Sequence, residues 1–194
     1  MAKLSDWQRL KQAATYHGIA ALGLILLWAA ADTWYVVTEL FIAHALSVVA
    51  ALVAGAWLSS LVHEWGHFAG ARLAKSYSPI VPEVRGIFMF GFKQEKNTRN
   101  QFLAMSLGGP IANWSLVLAI LVFIPMDNAG RAALLAITFA KAVSVCLFEG
   151  PIISRVMSGG EPDAEIEHGL NNGSQDRGIV LGYLSGALVW LLAS

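Results

Sequence analysis

The chain has 194 residues, of which 56% are apolar and only 13% charged, and its basic and acidic side chains cancel to a formal charge of zero. A soluble domain carries about 25% charged residues, so this composition belongs in a lipid bilayer, and the balanced charge gives no reason to expect a nucleic-acid partner. The single cysteine, Cys146, excludes an intrachain disulfide framework and a cysteine-rich zinc site, which leaves histidine and carboxylate to hold any metal.

Apolar runs predict membrane helices near residues 14–37, 43–73, 102–125, 131–157 and 178–193. The fold class expected is an all-α polytopic membrane protein, with about five transmembrane helices and a short β-like segment after the second. The first run follows Lys3, Arg9 and Lys11. Its Ala29-Ala30-Ala31 could pass for a signal-peptidase site, but apolar character resumes at Trp34, so a retained helix is expected. The second run exceeds the ~20 residues that one span needs. Its start then lies along the interface, or its end extends beyond the lipid.

That second run contains His63-Glu64-Trp65-Gly66-His67, an H-E-x-x-H motif. On a helix, residues four apart share a face, so both imidazoles can reach one zinc ion while Glu64 stands beside it as a general base. Ionisable groups at mid-bilayer cost roughly 2.5–3.5 kcal/mol each on insertion scales, which makes function the default reason for their presence. Gly66 and Gly70 also form a G-x-x-x-G pair, a pattern that marks close helix packing.

Between the second and third helices lie Arg72, Lys75, Arg85, Lys93, Lys96 and Arg99. Positive residues stay cytoplasmic, so this segment, the N-terminus and the stretch 161–177 are expected inside, and 32–39 and 126–131 outside. Gly86-Ile87-Phe88-Met89-Phe90-Gly91-Phe92 reads either as a hairpin or edge strand on the membrane surface, or as an interfacial loop anchored by phenylalanines. The third helix is expected to open with Ser106-Leu107-Gly108-Gly109-Pro110-Ile111-Ala112-Asn113, where paired glycines permit close approach and Asn113 brings an amide into the bundle.

A catalytic zinc site normally has three protein ligands and water. Glu149, the one acid inside the fourth run, supplies the third. His67 stands five residues before Arg72 and Glu149 six before Arg155, which places both about 8–9 Å from the same cytoplasmic boundary. Pro151 deprives the helix of a bond to the Leu147 carbonyl and predicts a break around Gly150. The competing readings are a Glu149 paired with Lys141 or Arg155, and a ligand role for Cys146 one turn earlier.

Together, H-E-x-G-H running into Ala71-Arg72, a β-like segment, Gly-Pro-x-x-Asn in the next helix and an acid-Gly pair in the fourth resemble the site-2 protease family, zinc metalloproteases that cut transmembrane segments of other proteins. The resemblance covers about residues 50–157. It implies one Zn2+ held by His63, His67 and Glu149, catalysis by Glu64, and substrate binding at Asn113 with Gly109 and Pro110. Glu149 stands where the family has Asp, and Lys141 and Ser144 lie near where it has Asn-x-x-Pro.

The expectation is therefore a single membrane domain, 1–194 with its core at 43–157, in the cell (plasma or inner) membrane with the N-terminus cytoplasmic. It would act as a zinc-dependent intramembrane endopeptidase on a transmembrane segment of a protein substrate. The alternative is a catalytically silent relative that binds membrane helices as a chaperone or regulator. A metal transporter fits less well, because ionisable groups stop at one depth instead of lining a path across the bilayer.

Overall fold

Six helices and one hairpin make up the computed structural model, which describes residues 4–194, with backbone alone at 84 and 85. Lys3 and the Arg85 side chain, two of the groups used above to orient the chain, lie outside the described set. The helices are α1 (Asp6–Thr38), α2 (Phe41–Leu73), α3 (Arg99–Phe123), α4 (Ala129–Met157), α5 (Pro162–Asn171) and α6 (Ser174–Ala193). All but α5 are long and apolar enough to cross a bilayer, and the chain is a multi-pass membrane protein.

The helix starts follow from capping chemistry. Ser5 and Gln8 exchange side-chain and backbone bonds across the first turn of α1, and Thr98 and Gln101 do the same for α3. Each pair satisfies two backbone donors that a helix start otherwise leaves bare. For that reason both helices begin earlier than the apolar runs at 14 and 102. The Gly108-Gly109-Pro110 stretch consequently lies well inside α3 rather than at its entry.

Close helix approach is set by glycine. Gly66 of α2 faces the backbone of Gly108, and Gly70 faces Ala104, so α2 and α3 run antiparallel with their backbones touching. On α6, Gly178, Gly182 and Gly186 form one face against Ser144, Ala140 and Ala136 of α4. This seats the last span, the shortest of the five at 20 residues. Helix α4 is the central element, with Ala132 through Thr138 all buried.

The segment after α2 is a hairpin. Strand β1 (Ile80–Arg85) pairs antiparallel with β2 (Phe88–Phe90), turning at Gly86, whose φ of 66° suits a residue without Cβ. Ile80 and Met89 are buried against Ala13 of α1 and Phe68 of α2, which fastens the hairpin to the end of the bundle.

A further expectation is corrected. Helix α4 is continuous through Gly150 and Pro151, with no break. Proline removes a single backbone donor, and the turns that follow it are held by packing of Ile152 and Val156 against Phe102. The polar stretch 161–177 also holds a helix, α5, with Pro162 at its first turn, Asp163 and Glu165 beside its N-terminus and His168 near its end.

Candidate metal centre

Helix α2 presents His63 and His67 one turn apart on the face turned to α3 and α4. Their Nε2 atoms lie 2.8 Å from each other. From α4, Glu149 brings Oε1 to 3.0 Å from the His63 Nε2 and 3.5 Å from the His67 Nε2. These three residues form the described group of ligand atoms that could enclose a metal ion. A tetrahedral site with arms of about 2.0–2.1 Å has edges of about 3.3–3.4 Å, close to the separations seen. Coincident depth, inferred from Arg72 and Arg155, is matched by direct convergence.

The groups behind the ligand atoms bear on the fit. His67 Nδ1 lies 2.8 Å from the Met105 carbonyl. A carbonyl only accepts, so Nδ1 carries the proton and the Nε2 lone pair of the neutral ring faces His63 and Glu149. His63 Nδ1 and Glu149 Oε2 are buried without a hydrogen-bond partner among the described residues. Crowded Nε2 lone pairs and an orphaned carboxylate oxygen are costly in an apolar interior unless a cation or donor joins them, and His63 Nδ1, protonated when Nε2 is the ligand, is a donor without a described acceptor. Two imidazoles and a carboxylate are the borderline N and O donors that zinc accepts.

Glu64 is half-buried and hydrogen-bonded to no other described group, although its charge acts on His67, His63 and Glu149. Gly109 touches both imidazoles. A Cβ there would run into the His63 and His67 rings, so only glycine lets α3 pack flat beneath them. Pro110 follows it within α3 and donates no backbone bond there. Asn113 is 2% exposed, and neither of its amide atoms has a partner among the described residues.

The α2–α3 register brings in a residue outside the H-E-x-x-H motif. Gly66 meets Gly108, Gly70 meets Ala104 and His67 meets Met105, so one turn outward His63 is level with Gly109, and one turn further Ser59 is level with Asn113. Ser59 is 1% exposed and its hydroxyl likewise has no partner among the described residues. The signal was present as S-x-x-x-H-x-x-x-H on one helical face, but an isolated serine in an apolar run is unremarkable.

A second group outside the motif is His17 of α1. Its Nε2 lies 2.9 Å from the Gly86 carbonyl at the hairpin turn, and its Nδ1 accepts from Trp65 Nε1 at 3.2 Å. The middle of the H-E-x-x-H motif is thereby tied through α1 to the hairpin. The alternatives weighed for Glu149 and Cys146 find other outlets. Arg155 pairs with Glu165 of α5, and Cys146 Sγ accepts from Trp114 Nε1 at 3.1 Å. Ser144, near where the family's Asn-x-x-Pro would lie, bonds the Ala140 carbonyl and faces α6.

No family model matches the chain, and neither the curated proteins nor the solved structures provide a match. The class defined by fold and site is a multi-pass helical membrane protein with a two-histidine, one-carboxylate cluster between its second and fourth helices.

Proposed function

We propose that this chain is a zinc-dependent intramembrane endopeptidase of the site-2 protease type, hydrolysing peptide bonds in or near transmembrane segments of other membrane proteins. The observation that carries the reading is the convergence of His63, His67 and Glu149 at one depth, with Glu64 close enough for its charge to act on all three and hydrogen-bonded to no described group. Zinc held there would supply Lewis acidity, polarising a carbonyl and making water nucleophilic near neutral pH. Glu64 accepts the proton of the attacking water and returns it to the leaving amine. The Met105 carbonyl fixes the His67 ring, and Gly109 lets α3 press both imidazoles into place. In this reading Asn113, with Gly109 and Pro110, would contact the substrate backbone, the Asn113 amide having no partner among the described residues.

A helical substrate must unwind before its peptide bond is accessible. Strand β2 has one edge unpaired by β1, and it could hold the extended segment by strand addition. The Lys/Arg distribution supports a cytoplasmic N-terminus and a site toward the cytoplasmic side of the cell membrane. Ser144, bonded to the Ala140 carbonyl and turned to α6, favours the second reading, a silent helix-binding relative, because its hydroxyl is spent within the fold.

Metal analysis of the purified full chain, alongside cleavage of candidate membrane substrates by wild type and Glu64→Gln, tests the proposal. About one zinc per chain and cleavage that depends on Glu64 are expected. Equal processing of a bound substrate by both chains would transfer the argument to the helix-binding reading.

A further inference from the structure

Beside the cluster lies a cavity of about 200 Å³, lined by His67 and Glu149 of the cluster and by Phe102, Phe148, Ile152 and Ile166 among its apolar walls. Phe102 and Ile152 are buried with Val156, and Phe148 and Ile166 pack against that group. The last wall comes from α5. Gly169 lets α5 lie against Ile152 and Phe148, where a Cβ would crowd Ile152, and Glu165 anchors the helix by its ion pair with Arg155.

Size and lining select an occupant. An apolar cavity of about 150 Å³ lined by Leu, Ile and Phe accepts benzene, so this one is large enough for a phenyl ring or a branched aliphatic side chain. A charged side chain reaching past the cluster would lose its hydration against Phe102, Phe148, Ile152 and Ile166, none of which carries a charge. Consecutive Cα atoms are 3.80 Å apart. A peptide carbonyl placed at His67 and Glu149 therefore brings the neighbouring side chain to the mouth of the cavity.

We propose that this cavity is the specificity pocket for the residue flanking the scissile bond, taking a large apolar side chain, aromatic above all. The proposal rests on the endopeptidase reading and names its substrate class: transmembrane segments with Phe, Leu or Met beside the cut. Ile166, carried by α5 rather than by a membrane helix, sets the pocket's depth.

The test uses two small probes with the same metal-binding head, acetohydroxamate and 3-phenylpropanohydroxamate, titrated into the zinc-loaded full chain in detergent. The phenyl probe should bind wild type at least about tenfold more tightly, the range that a well-filled apolar pocket supports. Ile166→Trp should abolish that advantage and leave acetohydroxamate affinity unchanged, whereas Ile166→Ala should preserve it. Ile166→Phe repeats the test with less added volume should the tryptophan disturb folding, which loss of both probes from that variant alone would reveal. Equal affinities in wild type, or an advantage that survives every filling variant, would overturn the pocket and leave the metal centre standing. Failure of both probes to bind wild type would remove the metal reading, and the pocket with it.

Discussion

Two buried polar clusters sit at opposite ends of the bundle, and they are built on opposite plans. In the first, Asp32 of α1 accepts from Arg131 Nε at 2.8 Å, Asn128 Nδ2 at 2.9 Å and Ser47 Oγ at 3.4 Å, and Arg131 also pairs with Asp127 at 2.9 Å. It joins α1, α2 and the start of α4, and both Asp32 carboxylate oxygens are used. In the second, His63 Nδ1, Glu149 Oε2, Ser59 Oγ and both Asn113 amide atoms have no described partner. A buried polar group normally finds a partner. The closed cluster holds helices together, while the open one is arranged to receive something, and substitutions at the two should behave differently.

The largest effect is expected at the closed cluster. Arg131→Met leaves the buried Asp32 carboxylate without its counter-charge, held only by the Asn128 and Ser47 donors, which should cost about 3–5 kcal/mol. Unfolding of the purified chain by SDS titration from mild detergent measures it. A loss below about 1 kcal/mol would show that Asp32 is reached by water and that the cluster is not closed. Replacing both partners, Asp32→Leu with Arg131→Met, should recover much of the stability, since no charge is then stranded.

At the open cluster the loss should fall on function instead. Glu64→Gln should keep fold and zinc while lowering turnover by about 10²–10⁴-fold, the usual contribution of a positioned general base. His67→Ala should lose the metal, because it removes one of three protein ligands. Both are read by zinc content and substrate cleavage on the same preparations. A Glu64→Gln chain that binds no zinc would mean Glu64 is itself a ligand.

Much of the open cluster was legible because its chemistry repeats at helical spacing: His63 and His67 announce one face, and Glu149 is a lone acid in an apolar run. The closed cluster was not. Asp32 was read as part of an external loop, since nothing local shows that Arg131 lies beside it across nearly a hundred residues of chain. The same limit hid the link from His17 to Trp65 and the Gly86 carbonyl. Local signals that were underused explain the remaining differences. Ser5 with Gln8 and Thr98 with Gln101 mark helix starts outside the apolar runs, and Pro162-Asp163 opens α5 in a stretch whose polarity alone signals only a cytoplasmic side. Pro151 misled in the other direction, because local rules treat the missing donor without the packing of Ile152 and Val156 that carries α4 onward.

A smaller effect tests how closely the open cluster is built. Gly109→Ala places a methyl group against the His63 and His67 rings, and overpacking of this kind costs about 1–3 kcal/mol. Displaced imidazoles should weaken zinc binding, readable by competition with a chelator. Gly150→Ala is the control, since open space surrounds that position and α4 is helical through it. Equal zinc affinities in the two variants would mean that α3 does not set the ring positions.

The smallest change in stability, and the sharpest contrast, is expected for Asn113→Leu. An asparagine with unpaired amide atoms contributes little to the fold, and an apolar residue of similar shape removes a desolvated donor and acceptor at once. Stability should therefore stay within about 1 kcal/mol of wild type or rise, the reverse of Arg131→Met. Ser59→Ala, level with it on α2, should behave alike. Function should respond in the other direction: if Asn113 faces a substrate backbone, Asn113→Leu lowers cleavage while zinc content holds at the wild-type value. The two measurements belong together, because a clear loss of stability would mean that Asn113 is bonded within the fold. The open cluster would then be narrower than its unpartnered atoms imply, and Asn113 would leave the proposed substrate site.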